Sequence, residues 1–329
     1  MYVVTRQNFR VMKRLILLIV CMWATTAIAQ SAKPKNTTDK TLEIKNKEIH
    51  LKQDLIRGGA ICYISKADSD RNIVNIYDEG RYIQQSYYAG KHLDRRAEGQ
   101  AEVWSPWNWN PIQVGDNVYN RAEILEHWQK GNKTYVKCIP MQWDMTNRPA
   151  EATMEQWTTI KGNVIKVRNR LICSRTDDLY GEGISCAQEI PAVWLISALK
   201  NLYAYFGDEP FTNQPVTSTE VKQLIMNDPD HFWGVYQNIP EKWMAFVDDS
   251  QWGIAVFSPS AIGFLAGRYD SFTEGDEHHV ASSYIAPARY ESLMKDSVME
   301  YEYYLVIGTL EQMRKEIYKI NKKLGKDTH

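Results

Sequence analysis

Thr134–Pro140 (TYVKCIP) and Asn163–Ile172 (NVIKVRNRLI) alternate apolar and polar side chains. A period of two sends one set of side chains to a buried face and the other to a solvated one, the pattern of a half-buried antiparallel strand. The tetrad IKGN at Ile160–Asn163 joins two such runs as a hairpin turn would. Further β-type runs cover Leu42–Ile44, Ile49–Leu51, Ala60–Ile64, Ile73–Tyr77, Tyr82–Tyr87, Met154–Ile160, Met244–Val247, Gly253–Phe257, Ser283–Ala286 and Val298–Ile307. Helical signals are confined to a short segment at Ser218–Met226 and a long one at the C-terminus. In the latter, Thr309 and Gln312 have capping-box spacing, and Leu310, Met313, Ile317, Ile320 and Leu324 recur every three or four residues before Gly325. No internal repeat and no compositional break marks a linker. The pattern predicts an all-β fold: a large antiparallel two-sheet sandwich, supersandwich-like, with a C-terminal helix over 309–324 and one short helix, built as a single domain over 42–329.

The N-terminus reads as an export signal. Lys13 and Arg14 precede the apolar run Leu15–Trp23, and Ala27-Ile28-Ala29 supplies a small-x-small cleavage site. Cleavage after Ala29 is expected, with Met12 an alternative start, and the polar stretch 30–41 is expected to be a flexible leader. The apolar run is too short for a stable span of ~30 Å of hydrocarbon. The sequence therefore predicts a periplasmic or extracellular protein, with Val20 before Cys21 weighing against lipid attachment. Four cysteines follow the signal: Cys62, Cys138, Cys173 and Cys186. Export permits disulfides, and Cys173 with Cys186 is the most local of the three possible pairings. A formal net charge of −1 supplies no basic field for nucleic acid.

Four segments concentrate groups suited to chemistry or binding. In DEGRYIQQSYY (Asp78–Tyr88) an extended backbone puts Arg81, Gln85 and Tyr87 on one face, and Tyr82, Gln84, Ser86 and Tyr88 on the other. The first set reads as a groove lining, with Arg81 offering a planar fork to hydroxyls or a carboxylate. In WSPWNWNPIQVGDNVYN (Trp104–Asn120) the prolines predict a rigid loop. Its Trp107 and Trp109 would serve as apolar platforms for sugar rings, with Gln113 and Asp116 at the platform's edge. Asp116 also suits an Asx turn, and Gly115 beside it permits a close chain approach. In CAQEIPAVW (Cys186–Trp194), Glu189 lies among apolar neighbours, where partial removal from water raises a carboxyl's pKa into the range of a general acid. An ion pair with Arg81 or Arg168 is the structural alternative. Glu274–Pro287 (EGDEHHVASSYIAP) adds His279 as a proton-transfer group, and MQWD at Met141–Asp144 adds a tryptophan and an acid. Neither C-x-x-C nor H-x-x-x-H spacing occurs, no phosphate-binding glycine motif is present, and neither metal nor cofactor is expected.

GGAICYIS, NIVNIYDEGRYIQQSYY, WNWNPIQVGD and QEIPAVW together resemble secreted β-supersandwich proteins of polysaccharide-degrading bacteria, over most of the mature chain. The layout is similar to that of the galactose-mutarotase-like group, which includes epimerases, glycoside hydrolases and domains of polysaccharide lyases. The resemblance implies fold and a sugar substrate. It carries over no catalytic residue, because the only clustered histidines, His278 and His279, come late in the chain. The leading expectation is a glycoside hydrolase acting on a polysaccharide or oligosaccharide, with Glu189 and Asp116 as its two carboxyl groups. A polysaccharide lyase, with Arg81 or Gln85 neutralising a uronate and Tyr87 or His279 as base, is the second. A non-catalytic glycan-binding protein is the third, and scattered acids and histidines would favour it.

Overall fold

The computed structural model describes residues 41–175, 179–181, 183–225 and 230–327. The signal segment 1–29 and all of the leader but Thr41 lie outside them; Thr41 already begins a strand, Thr41–Lys45. Two large sheets face one another. One has eleven strands, with a main path running Thr41–Lys45, Ile49–Asp54, Ala60–Lys66, Ile83–Ser86, Cys186–Ile196, Ser282–Glu291, Gly263–Tyr269 and Gln223–Leu224. The other has nine, and its centre is the run Trp252–Phe257, Val298–Thr309, Val164–Cys173, Ala152–Lys161 and Lys133–Ile139. Nearly all pairings are antiparallel, and the hairpin expected at IKGN forms with Ile160 opposite Ile165. The sandwich expected from the two-residue period is therefore present.

Alternation along these strands produces three apolar layers. The main core fills the space between the sheets with side chains from both, among them Ile61, Val193 and Ile285 from the first and Met154, Val167 and Leu305 from the second. The outer face of the nine-stranded sheet is covered by the helix Leu310–Asp327, whose Met313 and Ile317 are buried against Trp243, Phe257 and Val306. Its capping box is reciprocal: the Thr309 backbone N–H donates to Gln312 Oε1 at 2.9 Å, and the Gln312 N–H to Thr309 Oγ1 at 3.4 Å. The outer face of the eleven-stranded sheet carries a third layer that is largely aromatic, containing Tyr88, Trp104, Trp107, Trp143, Trp194, Trp233, Tyr269 and Tyr284.

Several expectations are corrected. In place of a helix over 218–226 the described residues form two short strands, Thr217–Thr219 and Gln223–Leu224. Each finds an open edge: Ser218 pairs with Tyr203, and Leu224 with Tyr269, and sheet hydrogen bonds outweigh the weak helical spacing. Cys186–Ile196, an eleven-residue central strand, carries Pro191 in its interior, and its register breaks there between Glu189 and Val193. All four described cysteines are free thiols, so the local pairing of Cys173 with Cys186 does not form. Both are buried, and burial pushes the Cys173 thiol up to about 11. No helix among the described residues is long and apolar enough to cross a membrane.

Candidate functional site

The WSPWNWN segment is a structural plug. Trp107–Trp109 forms a three-residue strand, paired through Ala89 with Trp109 and Leu93 with Trp107; Pro106 precedes it, and Pro111 begins the next short strand, opposite Gln142. Both indoles are fully buried, which corrects their expected role as sugar platforms. They also part company: Trp107 joins the aromatic outer layer, within 5.4 Å of the Trp104 ring, while Trp109 enters the core between the sheets. Each polar edge is satisfied internally. Trp107 Nε1 donates to Asn110 Oδ1 at 3.2 Å, Asn110 Nδ2 donates to the Tyr87 carbonyl at 2.7 Å, and Trp109 Nε1 donates to Glu151 at 3.0 Å. Gln113 accepts from the Gln85 N–H at 3.0 Å and donates to the Gly58 carbonyl at 2.9 Å, so it is a buried brace.

Asp116 belongs to the same frame. Its Oδ1 accepts from the N–H groups of Val118 and Asn120 at 3.0 and 2.9 Å, and its Oδ2 from Asn120 Nδ2 and the Asn147 N–H at 2.8 and 2.7 Å. Four donors use up the lone pairs of a carboxylate, so the Asx-turn reading describes this residue. The neighbouring Gly115 is forced by space: a Cβ there would lie 2.2 Å from the Asn120 carbonyl oxygen. No partner is shared between Asp116 and Glu189, so the two carboxyl groups expected to work together are held in separate networks.

The face assigned to Arg81, Gln85 and Tyr87 divides. Gln85 and Tyr87 point into the inter-sheet core, where the Tyr87 hydroxyl donates to Gln85 Oε1 at 2.8 Å and the Tyr87 ring meets Tyr301 edge-on. They line no groove. Tyr82 adopts a left-handed backbone with φ 71°, which breaks the strand's alternation and turns Arg81 to the other side of the sheet. There its guanidinium carbon stands 4.0 Å from the centre of the Trp194 ring and 4.4 Å from that of Tyr269.

Glu189 sits at the seam of the aromatic layer. The register break after it re-aims the side chain, as bulges do, toward the outer face. One carboxyl oxygen takes a hydrogen bond from the Tyr284 hydroxyl, and the other from the Tyr88 hydroxyl at 3.3 Å. Ser86, opposite Glu189 in the sheet, is a third hydroxyl partner. Tyr88 leads to Trp107, with ring centres 6.4 Å apart, and Tyr284 leads to Trp194 and Trp233 at 4.5 and 4.9 Å. The one carboxyl thus joins two aromatic clusters. Burial raises its pKa above the ordinary glutamate value, and the three hydroxyl bonds, which favour the charged form, offset only part of that rise. Neither Arg81 nor Arg168 pairs with it; Arg168 is bound to Glu300 at 2.7 Å.

His279 is half-buried on the turn beside Arg81. Its Nδ1 accepts from the Ala281 N–H at 3.0 Å and its carbonyl accepts from Asn75 Nδ2 at 2.8 Å. An acceptor role for Nδ1 puts the ring proton on Nε2. No hydrogen bond joins it to Glu189. Asp144 adds a second raised carboxyl, pushed up to about 6 by burial, with Gln100 donating to Oδ2 at 2.7 Å and Oδ1 left without a partner. Among the described residues no group of three or more His, Cys, Asp and Glu side chains gathers to hold a metal. The phenols Tyr88 and Tyr284 were not singled out from sequence. Tyr88 was legible as a neighbour of Ser86 on the face opposite Gln85, whereas nothing local marks Tyr284.

No known family model matches this sequence, and no curated protein does. Solved structures with a similar layout include a galactose mutarotase related enzyme from Lactobacillus acidophilus, 10% identical with a TM-score of 0.49, covering 81% of this chain and 97% of that one. A galactose mutarotase-like protein from Lactobacillus casei is 7% identical with a TM-score of 0.46, covering 81% and 99%. A 4-alpha-glucanotransferase from Thermococcus litoralis is 10% identical with a TM-score of 0.42, covering 82% of this chain and 37% of that one.

Proposed function

We propose that this chain is an exported carbohydrate-active enzyme that cleaves a glycan, with Glu189 as its proton-transfer group. The observation that carries the reading is the setting of that carboxyl: raised by burial, held by two phenols, and placed where two aromatic clusters of the outer layer meet. A protonated Glu189 suits delivery of its proton to a glycosidic oxygen, and Tyr88 and Tyr284 are placed to donate to the carboxylate that remains. The rings beside Glu189 are themselves buried, Tyr88, Trp107, Trp194 and Tyr284 each at 2% exposure or less, so this reading requires part of the layer to open before their faces can meet a sugar ring. Hydrolysis is the reaction we assign first. Its second carboxyl is not Asp116, whose oxygens are already saturated. Elimination from a uronate is a second reading, favoured by the two phenols in direct contact with Glu189, since a phenol can share proton transfer in that reaction.

The test is a screen of the protein, without residues 1–29, against neutral and acidic polysaccharides, reading both reducing ends and the ultraviolet absorbance of unsaturated uronates. Reducing ends without that absorbance support hydrolysis, and both together support elimination. Glu189→Gln should then slow product formation by roughly 10²–10⁴-fold while leaving the thermal transition cooperative. Full activity in a folded Glu189→Gln protein would remove Glu189 from the chemistry, and binding without product in the wild type would make this a glycan-binding protein.

A further inference from the structure

Arg81 is buried to 3% exposure and lies against the Trp194 and Tyr269 rings, yet its hydrogen-bonding capacity is largely unused. Nε and Nη1 have no hydrogen-bond partner, and Nη2 reaches only the Val280 carbonyl at 3.4 Å. The carboxylate beside it, Asp78 on the preceding turn, stands 3.7 Å from Nε, beyond hydrogen-bond length. Buried cations are ordinarily paired and fully hydrogen-bonded. Arg314 binds the buried Glu241 at 2.9 Å, whereas Arg175 and Arg268, each 2% exposed, also keep unpartnered nitrogens, so Arg81 is singled out by its place on the aromatic layer beside Glu189 and not by its unused donors alone. The ring faces offset part of Arg81's desolvation but supply no acceptor. The Trp194 ring beside Arg81 is the same ring that meets Tyr284 at a tilt, with centres 4.5 Å apart, and Tyr284 donates to Glu189. An underused cation and the proposed proton-transfer group therefore lie on one continuous aromatic chain.

We propose that Arg81 reads an acidic group on the sugar, a carboxylate or a sulfate ester, so that the ligand of the aromatic layer is an anionic glycan. The inference rests on the sugar reading of that layer and adds its charge. Oxygens of the acidic group would supply the acceptors that Nε and Nη1 lack, displacing the loose contact with Asp78, which is itself partly exposed and keeps access to water. A guanidinium held in the corner of two perpendicular rings is limited in its motion, so little further ordering is needed when the anion arrives.

Calorimetric titration decides the matter with paired probes: polygalacturonate oligosaccharides against the same oligosaccharides after carboxyl reduction, and carrageenan oligosaccharides against their desulfated forms. The expected result is at least tenfold tighter binding of one charged member than of its neutral partner, and the pair that shows it identifies carboxylate or sulfate. Arg81→Met, which keeps an unbranched apolar stem between Trp194 and Tyr269, should erase that ratio while leaving the affinity for the neutral member unchanged. Arg81→Lys should restore part of it. If the methionine variant does not fold, the wild-type ratio alone decides. Equal affinity within both pairs, or a charge preference that survives in Arg81→Met, overturns the inference while leaving the sugar reading in place. Failure of the wild type to bind any charged or neutral probe overturns both.

Discussion

Asp116 and Glu189 are both buried carboxyl groups, and they are held in opposite ways. Asp116 is bound by four N–H donors from its own turn and from the separate loop at Asn147, three of them backbone groups whose positions are set by the fold. Glu189 is bound by hydroxyls from two other strands and the chain just beyond one of them, and a hydroxyl can rotate and can itself accept. Backbone N–H groups cannot follow a carboxyl through a change of protonation, whereas phenols and serine can. The first arrangement fixes a turn. The second leaves a proton free to move, and burial places that carboxyl's titration higher than a surface glutamate's.

The sharpest way to break this contrast is through activity. With a cleaved glycan in hand, Glu189→Gln should cost roughly 10²–10⁴-fold in kcat, the range for loss of a general acid or base. Asp116→Asn should leave kcat close to wild type in whatever fraction remains folded. Equal losses from the two variants, measured under conditions where both are folded, would erase the distinction. The next effect is on stability. Trp107→Ala and Trp109→Ala should each destabilise the protein by about 3–5 kcal/mol in denaturant unfolding, the cost of removing a large core ring. If either variant unfolds at the wild-type midpoint and loses only glycan affinity, the segment is a platform after all.

Local pattern made the sandwich legible because every strand with one wet face writes a two-residue period into the chain. The strand that matters most for the site was harder to read. Cys186–Ile196 is buried along nearly its whole length, so it has no alternation, and Pro191 argues against a central strand until the register break is seen. Glu189 was legible from its apolar neighbours, but its partners were not, since Tyr284 lies 95 residues away in sequence. The grouping of Arg81 with Gln85 and Tyr87 failed at one backbone angle, the positive φ of Tyr82. The tryptophans misled for a different reason: three indoles among amides resemble a binding loop, and only the tertiary pairing reveals that the amides serve the indoles and the loop itself.

A smaller effect tests whether Asp116 is a turn device alone. Asp116→Ala strands several loop N–H groups at once, and the expected loss is about 1–3 kcal/mol, the penalty of leaving buried donors unsatisfied. Asp116→Asn keeps one carbonyl acceptor and should lose less. The order alanine, asparagine, wild type in unfolding midpoint would fit a group whose value is counted in accepted bonds. Equal midpoints for aspartate and asparagine would mean that the charge on Asp116 contributes nothing.

Asp144 lies between the two cases and gives the subtlest prediction. One oxygen is bonded to Gln100 and the other is not, and burial lifts its pKa from 3.8 to about 6. Because the folded protein then holds a proton that the unfolded chain releases at lower pH, the contribution of Asp144 to stability is complete below about 3.8 and declines as pH rises toward about 6. Asp144→Asn cannot ionise. It carries a constant offset from its own unpaired amide but lacks this decline, so the stability difference between variant and wild type should shift in the variant's favour across that window. Chemical unfolding of both proteins at closely spaced pH values reads the difference directly and cancels the other titrating groups. A difference that stays flat from pH 4 to pH 6 would mean that water or a moving side chain reaches Asp144, and that the aromatic layer beside Trp143 is open where it now looks closed.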